Sequence, residues 1–304
     1  MAAFEKIPKG LNLPMRVLST IALSMLLPGM ALAQSSAARA KPMPVAGSGV
    51  TQHIGFDRNE YPGDEALAVL RKHFSFVGYW LTNPPGETTN SWLGRRKILL
   101  EKGFGFLVLA NGKDDVDIVK AMKASRKSAE MVGQRDAAGA VAAAQREHFP
   151  AGTIVFLDQE EGGRLLPEQA DYLLGWTETV ARSAYKAGAY ISGQAVEDGP
   201  GKMITTAQDI RERVAAKHLH PVVLWVYQDG CPPSNGCTLQ PPALSANGTP
   251  DAVIWQFAQS PRRKEITGAC AKTYDAAGNC VLPELPAIHL DLSVSRSADP
   301  SHGR

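Results

Sequence analysis

Apolar and polar positions along the chain follow two periods, one typical of buried strands and the other of amphipathic helices. From residue 53 onward, short apolar runs alternate with segments in which apolar residues recur every three or four positions. The runs predict strands over residues 53–57, 76–81, 104–110, 153–158, 189–192, 222–227, 252–257 and 287–292. Eight such runs are enough to close a barrel.

Helical periodicity follows the first five predicted strands only. Three helical segments are residues 64–74, 91–101 and 113–148. A fourth helix opens at Pro167 and is closed by Gly188, and a fifth is marked by Ala207, Ile210 and Val214. The alanine-rich segment 113–148 predicts two helices with a break near Gly133. Later connections are rich in Pro, Gly, Ser and Cys and show no amphipathic pattern.

This alternation predicts an α/β fold, namely a single TIM-like (β/α)-barrel of five βα units followed by three strands lacking helices. The barrel domain is expected over residues 51–295, with a polar tail over 296–304. An open doubly wound sheet is the competing fold. No GxGxxG follows the first strand, so that fold lacks its usual nucleotide-binding signal.

The N-terminal residues have the order of a secretory signal peptide. Lys6, Lys9 and Arg16 form a basic start. A short apolar run over residues 17–27 follows, and small residues then occur within 31–33. An uncleaved membrane anchor is the alternative, but Pro28 interrupts the run before it reaches the roughly 20 residues of a spanning helix. We therefore expect a signal peptide over residues 1–33, a linker over 34–50, and a periplasmic or secreted mature protein.

Composition and charge narrow the class of partner. The chain has 304 residues, of which 44% are hydrophobic, and it carries 32 Lys and Arg against 30 Asp and Glu. Removal of residues 1–33 takes away three cations and one anion, so the mature chain has no net charge. A neutral chain has no global field to collect nucleic acid or an anionic membrane. We expect a monomer with no nucleic-acid partner and no stable membrane insertion after cleavage.

The cysteines lie close together in the last third of the chain, at Cys231, Cys237, Cys270 and Cys280. An even count in an exported chain predicts disulfides. Pairing of sequence neighbours, Cys231 with Cys237 and Cys270 with Cys280, is the simplest arrangement, and other pairings stay open. A zinc site is the alternative, but neither a CxxC pair nor a close histidine accompanies them. No metal and no cofactor is expected, and the absence of GxSxG gives no signal for a serine nucleophile.

Acidic residues end several of the predicted strands. Asp57 ends the first strand, Asp158 and Glu160 the fourth, and Asp291 the eighth. The site of such a barrel forms where its strands end, so these four side chains should meet at one mouth. Buried carboxylates are costly unless they are paired or hydrogen-bonded, and function is the commonest reason for such a cluster.

The segment from Thr153 to Gly163 is the strongest local signal. Strand alternation puts Asp158 and Glu160 on the same side, with Cα atoms roughly 6–7 Å apart. The charge of one carboxylate raises the pKa of the other, which gives a proton donor beside an anion, as glycosidic bond cleavage requires. The alternative is a strand end that leads into a solvated loop. A bulge would exchange Glu160 with Glu161, but parity favours Glu160 as the acid.

Aromatic residues also lie near strand ends, where their rings can stack on the apolar faces of sugars. We expect a carbohydrate groove with substrate-binding residues Tyr79, Tyr190, Trp225, Trp255 and Gln256. For any single aromatic residue, core packing is the alternative.

Several motifs occur in the order seen in family 25 glycoside hydrolases, the muramidases that cut peptidoglycan glycan strands. They are IGFD at 54–57, GTIVFLDQEEG at 152–162, AGAYISG at 187–193, LWVYQ at 224–228, VIWQF at 253–257 and HLDLSV at 289–294. The chain also resembles a related glycoside-hydrolase-like domain of exported bacterial proteins. The resemblance covers roughly residues 51–295.

This resemblance implies an exported glycoside hydrolase that acts on a polysaccharide, with peptidoglycan as the expected substrate. Glu160 would match the general acid and Asp158 its partner carboxylate, Asp57 and Asp291 would match flanking acids, and Tyr190, Trp225 and Trp255 would match groove aromatics. The sequence departs from the pattern in an extra acid and a double glycine after the fourth strand, in Arg58-Asn59 after Asp57, and in the cysteine-containing loops. A non-catalytic wall-binding protein on the same barrel is the alternative, and a hydrolase for another glycan is a third hypothesis.

Overall fold

Eight strands close into a barrel in the computed structural model, which describes residues 51–160 and 162–304. Around the barrel they are β1 (His53–Asp57), β2 (Phe76–Trp80), β3 (Gly105–Asn111), β4 (Ile154–Asp158), β5 (Lys186–Ser192), β8 (Val223–Tyr227), β9 (Ile254–Ala258) and β10 (Asp291–Ser295). A separate hairpin is formed by β6 (Val196–Glu197) and β7 (Met203–Ile204). The predicted barrel is confirmed, while the predicted signal peptide and linker lie outside the described residues.

The last strand closes the barrel in the reverse direction. Strands β1 to β5, β8 and β9 are parallel, whereas β10 is antiparallel to both of its neighbours, β9 and β1. The predicted position of this strand, residues 287–292, was wrong, because Asp291 begins the strand instead of ending it. The start of an antiparallel strand lies at the same rim as the ends of parallel ones. Asp291 therefore still reaches the mouth, where it is the register partner of Asp57.

Helices follow the first five strands, as the sequence predicts. They are α1 (Leu67–His73), α2 (Arg96–Glu101), α3 (Asp115–Ser125), α4 (Ala129–Arg146), α5 (Pro167–Ala181) and α6 (Thr206–Ala216). Beyond β8, the only helical segments in the described part of the chain are two short 3-10 turns, Leu244–Asn247 and Gly268–Thr273. None of the helices in the described residues is both long enough and apolar enough to cross a bilayer.

Glycines make room for large side chains inside the barrel. A Cβ on Gly188 would lie 2.4 Å from the ring of Phe156, and one on Gly55 would lie 2.2 Å from the ring of Phe76. The expectation that Gly188 closes a helix was wrong, because α5 already ends at Ala181 and Gly188 lies within β5. Its lack of a side chain serves packing of the barrel interior.

The predicted helix break near Gly133 was also wrong. Helix α3 ends at Ser125, and its C-cap residue Arg126 adopts a left-handed φ of 56°. Ser128 caps the start of α4 by accepting a hydrogen bond from the Met131 amide at 3.3 Å. Gly133 lies inside α4, where a Cβ would be 2.2 Å from the carbonyl oxygen of Tyr172 in α5. A glycine is needed here because the backbones of the two helices approach closely.

Residues 296–304, predicted as a polar tail, pack across the end of the barrel opposite the carboxylates. The amide of Val108 donates to Ser301 Oγ at 2.8 Å, and the amide of Ile154 donates to the Ser301 carbonyl at 2.8 Å. Asp299 accepts from the Phe106 amide at 2.8 Å. These contacts satisfy backbone groups near the strand starts, so the segment is part of the barrel's packing.

Two disulfides join the connection after β8 to the connection after β9. They are Cys231–Cys270 and Cys237–Cys280, so the predicted pairing of sequence neighbours was wrong. The two connections lie side by side, and the Cys231 amide donates to the Ile266 carbonyl at 2.9 Å. The cysteines of one connection therefore lie opposite those of the other. Each bond closes a loop of about 40 residues, for which chain entropy predicts about 4 kcal/mol of stabilisation.

We expect Gly133→Ala to destabilise the fold by roughly 1–3 kcal/mol, because the added methyl group must push α5 away from α4. Gly139→Ala is the matched control, since Gly139 is exposed in the same helix and a Cβ there meets nothing within 4 Å. It should stabilise the protein by about 0.5–1 kcal/mol through helix propensity. Urea unfolding measures both effects. Equal and stabilising effects of the two substitutions would contradict the close approach.

Candidate functional site

Six acidic residues line one pocket at the mouth of the barrel, and four of them are the acids that the sequence selects. The pocket has a volume of about 450 Å³, and its acids include Asp57, Asp158, Glu160 and Asp291. Asp57 and Asp158 are buried, whereas Glu160 is exposed at the rim. The structure thus brings together the four acids that the sequence selects as strand-end residues.

Close backbone contacts hold the two deep acids in place. A Cβ on Gly78 in β2 would lie 2.4 Å from the Cβ of Asp57, so glycine leaves room for that side chain inside the barrel. A Cβ on Gly112 would lie 2.1 Å from the carbonyl oxygen of Asp158. Gly78 lies in β2, next to the strand of Asp57, and Gly112 follows β3, next to the strand of Asp158. A larger residue at either position would displace the neighbouring acid.

A hydrogen-bonded network fixes the carboxylate of Asp57. Gln256 Nε2 donates to both carboxylate oxygens, at 3.1 and 3.3 Å. Its Oε1 accepts from the Tyr190 hydroxyl and from Gln259 Nε2, the latter at 3.0 Å. These contacts orient the amide of Gln256 so that its NH2 group faces Asp57. Asp291 is held separately, by the Ser260 amide at 2.6 Å.

Burial sets the protonation of this cluster. Desolvation raises the pKa of Asp57 to about 7, with the hydrogen bond from Gln256 opposing the rise and the charge of Glu160 adding to it. Desolvation also raises the pKa of Asp158 and of Asp291 well above the usual range, and neighbouring carboxylates raise both further. The acids therefore share protons near neutral pH, since ionising all of them together is unfavourable.

Asp158 and Glu160 differ in environment. Asp158 Oδ1 is buried and has no hydrogen-bond partner among the described residues, so no protein donor offsets its desolvation. The pKa of Glu160 is raised by desolvation, against which the positive charge of Arg263 acts. The carbonyl oxygen of Glu160 accepts from the Tyr227 hydroxyl. Glu161, the alternative acid, lies outside the described residues.

Aromatic rings form one wall of the pocket. Tyr190 and Trp225 both line it, with ring centroids 4.1 Å apart. Trp80 also lines the pocket, and its Nε1 donates to the Arg58 carbonyl at 3.1 Å. All three side chains are buried, so these rings pack beside the carboxyl groups and leave little of their surface open to the pocket.

Two of the predicted groove residues do not line this pocket. Tyr79 faces outward, where its ring packs against Phe149 with centroids 5.3 Å apart and its hydroxyl donates to Glu147. Trp255 is fully buried and its Nε1 donates to the Gln228 carbonyl at 2.8 Å. Consecutive strand residues face opposite sides. Because Gln256 faces the pocket, Trp255 cannot, and parity could have shown this from the sequence.

Sequence reasoning missed several pocket residues that lie in loops. They are Gln259, Ser260 and His289 near β9 and β10, and Arg58, Asn59 and Glu60 after β1. Loop positions carry no period that assigns a side chain to the mouth, so no sequence signal selects them. In the described part of the chain, no group of three or more His, Cys, Asp or Glu side chains is arranged to hold a metal ion.

Structural comparison finds similar folds in bacterial and phage proteins. An uncharacterized protein of B. stearothermophilus has a TM-score of 0.49 at 18% identity, covering 80% of this chain and 95% of that one. The catalytic domain of endolysin ply40 from bacteriophage P40 of Listeria monocytogenes has a TM-score of 0.45 at 14% identity, covering 84% and 98%. The Tat-secreted protein Rv2525c of Mycobacterium tuberculosis, solved with L-tartrate, has a TM-score of 0.44 at 10% identity, covering 80% and 94%.

No curated protein matches the sequence significantly. The model of one protein family does, and it matches residues 73–275, which include β2 to β9 and the pocket residues between them. That family is described as the Rv2525c-like, glycoside hydrolase-like domain. The chain therefore belongs to the family of Rv2525c-like, glycoside hydrolase-like domains.

Proposed function

We propose that this protein is an exported glycoside hydrolase that cleaves peptidoglycan glycan strands or a related polysaccharide. The observation that carries the proposal is the pocket in which Asp57, Asp158, Glu160 and Asp291 meet beside the rings of Tyr190 and Trp225. Hydrolysis of a glycosidic bond needs a carboxylic acid and a carboxylate on either side of the bond, and rings bind the apolar faces of sugars.

Glu160 is assigned as the general acid. It is the exposed member of the cluster, so a glycosidic oxygen can approach it, and its raised pKa keeps a proton available at higher pH than for an ordinary glutamate. Asp158 is assigned as the partner carboxylate beneath the reacting sugar, because its unpartnered Oδ1 can face the developing positive charge. Asp57 and Asp291 set the charge of the cluster around this pair.

Two features support export. The N-terminal sequence has the order of a secretory signal peptide. Two disulfides, Cys231–Cys270 and Cys237–Cys280, need an oxidising compartment to persist. The proposed location is the periplasm or the extracellular space, where the glycan strands of the cell wall lie within reach.

Binding without hydrolysis is a second candidate function. The observation that favours it is the buried carboxyl of Asp158, whose pKa is raised well above the usual range by desolvation. A protonated Asp158 cannot stabilise an oxocarbenium ion, yet it can still hydrogen-bond to a sugar. Such a protein would bind cell-wall glycan in the same pocket and release no product.

We expect Glu160→Gln to lower hydrolysis by at least 100-fold, as loss of a general acid typically does, while binding to insoluble cell wall persists. Release of dye from labelled peptidoglycan measures hydrolysis, and sedimentation with the same material measures binding. Glu101→Gln is the matched control, because Glu101 is exposed on α2 and its one ion pair among the described residues is with Lys97 at 3.9 Å.

The outcomes separate the two candidates. A parent protein that hydrolyses, with a Glu160→Gln variant that does not, supports the first. A parent protein that sediments with the wall and releases no dye favours binding alone. Equal dye release by the parent and by Glu160→Gln would overturn the assignment of the acid.

We also expect the stability of the protein to fall as the pH rises from about 4 to about 7. The folded-state pKa of Asp57, about 7, lies above the usual value of 3.8, so the folded state binds more protons than the unfolded chain in that range. The stabilisation is complete at low pH and is lost as Asp57 ionises. Asp57→Asn has no proton to lose there, so its free energy of unfolding should depend less on pH.

Urea unfolding at several pH values measures this effect, which for Asp57 alone has an upper limit of roughly 4 kcal/mol. Glu101→Gln should give a curve parallel to that of the parent. Parallel curves for the parent and for Asp57→Asn would show that the carboxyl is not desolvated in the folded protein. The experiment needs no enzymatic activity.

A further inference from the structure

An ion pair between a half-buried arginine and a buried carboxylate joins the two connections that the disulfides cross-link. Asp229, which follows β8, is fully buried, and Arg263 lies in the connection between β9 and β10. Arg263 Nε donates to both Asp229 oxygens, at 2.9 and 3.1 Å, and its Nη2 donates to Oδ1. A guanidinium held by two of its nitrogens has a fixed plane and a fixed position.

The backbone on both sides of this pair is fixed as well. Cys231 lies two residues after Asp229 and is bonded to Cys270. The Thr267 amide donates to the Arg263 carbonyl at 3.1 Å, and the Cys270 amide donates to the Thr267 carbonyl at 3.2 Å. The disulfide and this turn therefore restrain the segments that carry both members of the ion pair.

The ion pair reaches the proposed general acid through one aromatic residue. The guanidinium carbon of Arg263 lies 5.2 Å from the centroid of the Tyr227 ring. The hydroxyl of Tyr227 donates to the carbonyl oxygen of Glu160. A continuous series of contacts thus runs from Asp229 through Arg263 and Tyr227 to the main chain of Glu160.

The same guanidinium acts on the charge of Glu160. Desolvation raises the pKa of the Glu160 carboxyl, and the positive charge of Arg263 lowers it. Other titratable or charged groups line the two pockets in which Glu160 takes part: Asp57, Arg58, Glu60, Glu87, Lys113, Asp114, Asp117, Asp158, Tyr190, His289 and Asp291. Arg263 is the group whose charge opposes the effect of burial on this carboxyl.

We propose that Arg263 is a positioning residue for Glu160: Asp229 and the Cys231–Cys270 disulfide hold its guanidinium where it fixes Tyr227 against the main chain of Glu160, and from there its positive charge acts on that carboxyl. The inference rests on the proposed function, in which Glu160 is the general acid. It assigns the cysteine-containing connections a role in the chemistry of the site. If the ion pair and the disulfide only stabilised the two connections, removal of Arg263 would leave the ionisation of Glu160 unchanged.

The test compares Arg263→Gln and Arg263→Lys with Lys264→Gln, which removes the charge of the next, exposed residue. The pKa of Glu160 is measured by carbon-13 NMR titration of its side-chain carboxyl, assigned with Glu160→Gln. We expect Arg263→Gln to raise this pKa by roughly one pH unit. Arg263→Lys keeps the positive charge, so the pKa of Glu160 in that variant should be close to the parent value. The pKa of Glu160 in Lys264→Gln should equal that of the parent. The alkaline limb of dye release should move by the same amount.

An unchanged pKa of Glu160 in a folded Arg263→Gln variant would overturn the inference. If that variant fails to fold, Tyr227→Phe tests the other link, since it removes the hydroxyl that holds the Glu160 carbonyl. It should shift the backbone amide resonances around residue 160, and unchanged resonances would count against the proposal. The NMR measurements need no turnover, so a parent protein that hydrolyses nothing refutes the proposed function without deciding this inference.

Discussion

The pairing of β10 with β1 is the interaction on which the site depends. Seven parallel strands leave the barrel open between β9 and β1, and an antiparallel strand fills that gap. The register of this pair makes Asp57 and Asp291 direct partners. Closure therefore forces two carboxyl groups together at the rim, where burial already disfavours their ionised forms. A shift of one residue in this register would turn every β10 side chain to the other face.

The fold tolerates this cluster because each buried acid has a different environment. Gln256 donates to both oxygens of Asp57, and a backbone amide donates to Asp291. Asp158 keeps one buried oxygen with no partner in the described part of the chain. An unsatisfied buried acceptor is costly in a folded protein. A group that supplied a donor to this oxygen would remove that cost.

Regular spacing allowed much of the fold to be predicted from the sequence, and its absence explains the errors. Short apolar runs predicted eight barrel strands, of which the last was misplaced along the chain, and three- to four-residue spacing predicted the helices of the five βα units. Gly133 and Gly188 were read as helix ends, although their roles are close backbone approach and space for a ring, which only tertiary packing reveals. The four acids follow from strand ends. The loop residue Gln259 and the disulfide pairing depend on how connections lie in space, which no local pattern encodes.

The missing helices after β8 and β9 explain why the cysteines lie where they do. In a βα unit, the helix packs on the barrel and anchors the loop that leads to the mouth. The connections after β8 and β9 have only 3-10 turns in their described residues, so their loops need other anchors. Two disulfides and the Asp229–Arg263 ion pair supply them. Disulfides persist only in an oxidising compartment. The loops on this side of the mouth are therefore fully anchored only when the chain folds under oxidising conditions. A reducing environment would loosen the loops around Tyr227 and Gln259 while the hydrogen-bonded barrel beneath them remained closed.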